Sequence, residues 1–120
     1  MRDLRGLWRR LKTLSEDLLV REAKRRTEVF RNLSTYLKKI AHVATRLDPN
    51  AEIYLFGSVA EGKHLLSSDI DVLVVTEVKP GELLATLWRE GIKDPFEIHV
   101  VTREMLNAYK RRAKLIKIEP

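Results

Sequence analysis

The chain has 120 residues, enough for one domain around a single core and not for two. It contains no cysteine, which removes disulfides, thiol nucleophiles and zinc–thiolate sites. Its net charge of +6 is unevenly placed, with 13 Lys/Arg against 5 Asp/Glu in residues 1–47, 5 against 11 in residues 48–108, and 5 against 1 in residues 109–120.

Residues 2–47 hold no proline, and Gly6 is their only glycine. Leu4, Leu7, Leu11, Leu14 and Leu18 form one amphipathic stripe at spacings of 3 and 4. Leu19, Ala23, Phe30, Leu33, Leu37, Ile40, Ala44 and Leu47 form a second, in helical phase if one slot is allowed at Arg26. The stripes are out of register, and Thr13-x-x-Glu16 reads as a capping box. A short helix over 2–12, a turn, and a long helix over 15–47 are expected, with a core beginning at 49. The pattern suits self-association through the long helix, or a partner helix. Arg21, Lys24, Arg25 and Arg26 read as a solvated face, and Trp8 as a packing residue.

Asp48-Pro49-Asn50 breaks the helix. The run Ile53-Tyr54-Leu55-Phe56 reads as a buried strand stopped by Gly57-Ser58, and Val59–Leu66 has room for one or two helical turns. Asp69-x-Asp71 then opens a second strand, about 70–76. A helix over 82–90 should turn Leu83, Leu84, Leu87 and Trp88 inward, and Gly91 should close it. Strand three is expected over 96–101 and a last helix over 103–113. Leu115–Ile118 reads equally as an edge strand or as a packed tail.

Directions follow from where the polar groups sit. Gly57-Ser58 ends strand one and Asp69-x-Asp71 begins strand two, so a shared site requires those strands to be antiparallel. A strand–helix–strand link makes strand three parallel to strand two, which brings Glu97 to the aspartates' end of the sheet. Carboxylates at i and i+2 share a strand face, and such close like charges repel unless a cation lies between them or one stays protonated. Hard oxygen ligands on a rigid strand suit Mg²⁺ with phosphate oxygens completing its shell. A glycine turn opening a helix offers N–H groups to an anion. The plainer readings are a turn or cap residue for Asp69, a salt-bridge partner for Asp71, an exposed acid for Glu97 and an N-cap for Ser58.

Gly57-Ser58 followed after ten residues by Asp69-x-Asp71 resembles the signature of the nucleotidyltransferase superfamily that includes DNA polymerase β. The resemblance spans roughly residues 51–104 and is nearest to the minimal nucleotidyltransferases. It implies an α/β (α+β) fold, with a small mixed sheet flanked by helices behind a long N-terminal helical extension. It implies two Mg²⁺ ions on Asp69, Asp71 and Glu97, with glutamate a departure from the commoner aspartate at the third position. Gly57 and Ser58 would bind the triphosphate. Lys63 would replace an arginine that relatives carry where Glu61 stands, and Ser68 would steady the site. His64 and His99 are read first as exposed or packed residues and second as acid/base groups, and His42 is given no chemistry.

Small members of this kind resemble antitoxins that transfer AMP from ATP to a tyrosine of a HEPN-domain ribonuclease. That is the leading expectation for function and partner. Its rivals are a module that binds its partner without catalysis and a nucleic-acid end modifier that grips through the basic helix. No apolar run approaches the ~18 residues of a membrane span, so a cytoplasmic protein without membrane contact is expected. The absence of glutamine and the 33% charged residues suit a thermophile, and the toxin–antitoxin system is what the resemblance implies.

Overall fold

The structure, a computed structural model, describes residues 4–120. These divide into two compact units, one ending at Arg31 and the other running from Asn32 to Pro120.

The first unit is a helix, α1 (Leu4–Arg31), unbroken through the region where a turn was expected. Thr13 caps nothing there. Its hydroxyl donates to the Arg9 carbonyl at 2.9 Å, one turn back within the helix, which is how a mid-helix threonine satisfies itself. The break comes instead at Asn32, whose φ of −111° and ψ of 26° fall outside helical values. Asparagine competes with its own backbone for hydrogen bonds and tolerates such geometry. The long helix expected over 15–47 is therefore two helices, and the phase slip assigned to Arg26 is resolved six residues later. Leu19 is 70% exposed and Trp8 69% exposed, so neither packs as expected.

The second unit contains α2 (Leu33–Leu47), so the helical segment does not part from the core at 48. The strands are β1 (Glu52–Phe56), β2 (Ile70–Val75), β3 (Phe96–Val101) and β4 (Ile116–Ile118). Between them lie α3 (Gly57–Ala60), α4 (Pro80–Arg89) and α5 (Arg103–Arg112). The sheet order is β3-β2-β1-β4, with β2 antiparallel to β1 and parallel to β3. Both directions agree with the sequence argument. The chain's last strand, β4, pairs antiparallel with β1, which settles the open question of residues 115–118 in favour of an edge strand.

Period-two alternation gives the sheet two unlike faces. Ile53 and Leu55, Ile70, Val72 and Val74, and Phe96 point to one face and are all buried. The helix α2 covers this side, with Tyr36 packed on Phe96 at 5.6 Å between ring centroids. Its Leu37, Ile40, Ala41, Val43 and Ala44 make a single buried stripe. Each fully buried aliphatic side chain of this kind stabilises the fold by about 1.5–3 kcal/mol. In α4 only Leu83 and Leu87, at i and i+4, are buried. Leu84 and Trp88 face outward, against expectation, because neither shares that stripe, and Lys93 Nζ sits 4.6 Å above the Trp88 ring.

On the other face, Tyr54, Leu73, Val75 and Val101 pack beneath Leu106 of α5, with Phe56, Tyr109 and Leu115 at the margin. This cover stops short of the sheet end where β1 finishes and β2 begins.

Candidate active site

At that uncovered end, strand register assembles a row. Phe56 lies opposite Asp71 across the antiparallel pair, and Asp71 lies opposite Glu97 across the parallel pair. One step further in, Tyr54, Leu73 and His99 make the next row on the same face. Two carboxylates from different strands thus stand side by side where hydrophobic cover ends. Asp71 is partly shielded, with 24% of its side chain exposed, and Glu97 is open at 56%.

His99 reaches diagonally between them. Its Nε2 lies 3.3 Å from Asp71 Oδ1 and 3.7 Å from Glu97 Oε1. The Phe56 ring meets the imidazole edge-on at 4.9 Å, and Tyr109 supports Phe56 at 5.7 Å. One donor atom from each of Asp71, Glu97 and His99 falls within 4.8 Å of the others. That grouping can hold a divalent cation. Two oxygens and an imidazole nitrogen suit Mn²⁺ as well as Mg²⁺.

The glycine–serine bend is fitted to the same carboxylate. Gly57 has φ of +76°, a left-handed conformation that glycine adopts without strain. A Cβ placed there would overlap Asp71 Oδ2 and lie 3.2 Å from its Cγ. The bend and the aspartate are therefore in van der Waals contact, a cradle that any other side chain would fill. Ser58 follows in the first turn of α3, and its carbonyl accepts the Lys63 N–H at 2.9 Å. That bond curls residues 58–63 back on themselves, and the Lys63 side chain is exposed.

The remaining expected residues are placed differently. Asp69 precedes β2 and is exposed, and the three-donor cluster contains His99 where the sequence argument has Asp69. Ser68 ties its own loop, its Oγ accepting the Leu65 N–H at 2.9 Å and its N–H donating to the Leu65 carbonyl at 2.9 Å. His99 joins the cluster although the sequence argument put it outside the site. The available signal was its position two residues after Glu97, on the same strand face. His64 is exposed in the loop after α3.

A family model described as the nucleotidyltransferase domain matches residues 37–119. The chain belongs to that family. A crystal structure described as that of a candidate nucleotidyltransferase is 31% identical, covering 68% of this chain and 96% of its own, with a TM-score of 0.57. Another candidate nucleotidyltransferase, from Sulfolobus solfataricus, is 26% identical over 77% of this chain and 84% of its own, with a TM-score of 0.53. Cid1, solved in complex with its short product ApU, shares the fold at 21% identity and a TM-score of 0.51, covering 72% of this chain and 34% of its own. No curated protein matches. The mixed four-stranded sheet with flanking helices is thus the nucleotidyltransferase fold, and its matched region begins within α2. Among the described residues no helix is long and apolar enough to cross a membrane.

Proposed function

We propose that this nucleotidyltransferase moves AMP from ATP to a hydroxyl of a partner protein, and that the partner is a HEPN-type ribonuclease held in check by the modification. The observation that carries the catalytic part is the Asp71–Glu97 pair, set in register across parallel strands against the Gly57 bend. Asp71 and Glu97 are the residues suited to hold divalent metal, with His99 beside them and Asp69 two residues before Asp71 in the chain. Bound Mg²⁺ supplies neutralisation of phosphate charge and a lowered pKa for the acceptor hydroxyl.

The chain's own groups do the positioning. The close approach allowed by Gly57 and the Ser58 hydroxyl hold the triphosphate next to Asp71. The exposed Lys63 supplies countercharge to the phosphates. Glu97 faces the acceptor and is open enough for a folded protein to present a hydroxyl there, which favours a protein acceptor. Asp71 and Glu97 would hold such a metal, which would supply charge neutralisation while these residues orient nucleophile and α-phosphate for one in-line displacement. The acceptor oxygen bonds to the α-phosphorus, pyrophosphate leaves, and the hydroxyl proton passes to Glu97 or solvent.

The test is to co-purify the chain with the product of the adjacent gene and add α-labelled ATP with Mg²⁺. Label on the partner, lost with Asp69→Asn plus Asp71→Asn, is the expected result. A second reading, inhibition by contact alone, draws on Asp69 standing outside the three-donor cluster. Under that reading the double variant still neutralises the partner and no label transfers.

A further inference from the structure

The leucines of α1 are its most conspicuous unused feature. Leu4, Leu7, Leu11, Leu14 and Leu18 are all exposed, on an unbroken helix. Their alternating spacings of 3 and 4 average 3.5 residues, the repeat of a seam between two supercoiled helices. We propose that this seam joins two copies of the chain as an antiparallel coiled coil, with Leu11 beside the partner's Leu14 and Leu18 beside the partner's Leu7. The inference stands independently of the proposed activity.

Charge selects both the occupant and the direction. Residues flanking the seam on one side are Arg10, Asp17 and Lys24. In the antiparallel register that aligns Leu11 with the partner's Leu14, Arg10 meets the partner's Asp17, and symmetry repeats the pair on the other side of the centre. On a single helix these two residues are seven positions, roughly 10 Å, apart and cannot satisfy each other. A surface that carries its own countercharges in mirror order about its centre is self-complementary, as a twofold interface requires. The parallel alternative sets Asp17 against the partner's Glu22 and stacks Arg21 and Arg25 on their own copies in the seam. Glu22 is instead engaged on its own helix, with Arg25 at 3.3 Å and Arg26 at 3.1 Å. The antiparallel pairing also places Trp8 next to the partner's Ser15, against the edge of the seam, which gives this exposed indole apolar cover.

The full chain should sediment as a dimer at micromolar concentration. Asp17→Arg should raise the dissociation constant about tenfold by opposing Arg10 twice. Adding Arg10→Asp to it should restore the affinity. A parallel pair would respond the other way, because Asp17→Arg then relieves the contact with the partner's Glu22, so a tightened dimer overturns the proposal. Direction can be read separately from a spin label on Thr27→Cys, a unique thiol because the chain has no cysteine. Antiparallel helices centred between Leu11 and Leu14 separate the two labels by about 45 Å, whereas parallel helices bring them within roughly 20 Å. Leu11→Asp with Leu14→Asp should give a monomer whose core unfolds at the unchanged temperature. A parent chain that stays monomeric at every concentration, including one that only binds anionic vesicles through its basic face, also overturns it.

Discussion

The two faces of the sheet use the same strands for opposite ends. On β2, Ile70, Val72 and Val74 point into the α2–α4 side and are completely buried, while Asp71, Leu73 and Val75 point to the α5 side. Along that second face burial is graded, from fully covered Val75 and Leu73 to half-shielded Asp71. On β2 the first face is uniformly buried because helices span it, and the second opens into the candidate site where α5 gives out. A strand can therefore be fixed by one face and carry chemistry on the other, one residue apart.

Variants should separate the two faces. The largest effect is expected for Asp71→Asn, with transfer falling by roughly 10³-fold or more and thermal stability nearly unchanged, measured by label transfer and a melting curve. Ile40→Ala on the opposite side should do the reverse. It should cost about 2–5 kcal/mol in denaturant titration and leave activity intact wherever the chain remains folded. Gly57→Ala belongs to both classes. Its new methyl displaces the Asp71 carboxylate and strains a positive φ, so activity should fall with a loss of about 1–2 kcal/mol.

His99→Ala tests how far the site extends. Mn²⁺ affinity, followed by the ion's electron paramagnetic resonance signal, should weaken about tenfold if the imidazole helps hold metal. No change would restrict the site to carboxylates. The smallest effect is remote from the site. The Thr76 hydroxyl, donating at 2.6 Å, and the Asn50 N–H hold Asp48 below the usual carboxylate range. A lowered native pKa contributes stability above about pH 4, lost as pH falls through the lowered value. Thr76→Val should flatten that acid limb without touching activity.

Strand directions were legible because Gly57 ends one strand where Asp69 opens the next, and because a strand–helix–strand link makes its strands parallel. The parallel rule was enough to bring Glu97 to the aspartates' end of the sheet, and the register then sets it opposite Asp71. The helix break was not legible, since Thr13-x-x-Glu16 satisfies a capping pattern while Thr13 in fact bonds back to Arg9. Outward-facing Leu84 and Trp88 were misjudged because a ten-residue helix over a narrow sheet buries just one stripe. His99 shares the Glu97 face by spacing alone, but its approach to Asp71 is a cross-strand diagonal set by register.

The order β3-β2-β1-β4 makes the candidate site mechanically lopsided. Asp71 rides on an inner strand laced to neighbours on both sides, whereas Glu97 rides on an outer one anchored along a single edge. The inner position favours a stiff Asp71 and the outer position a compliant Glu97. A rigid aspartate can set the reference position, and a yielding strand can absorb the extra methylene of a glutamate as reacting groups close on it. Amide exchange should show that asymmetry directly, slow at Asp71 and faster at Glu97.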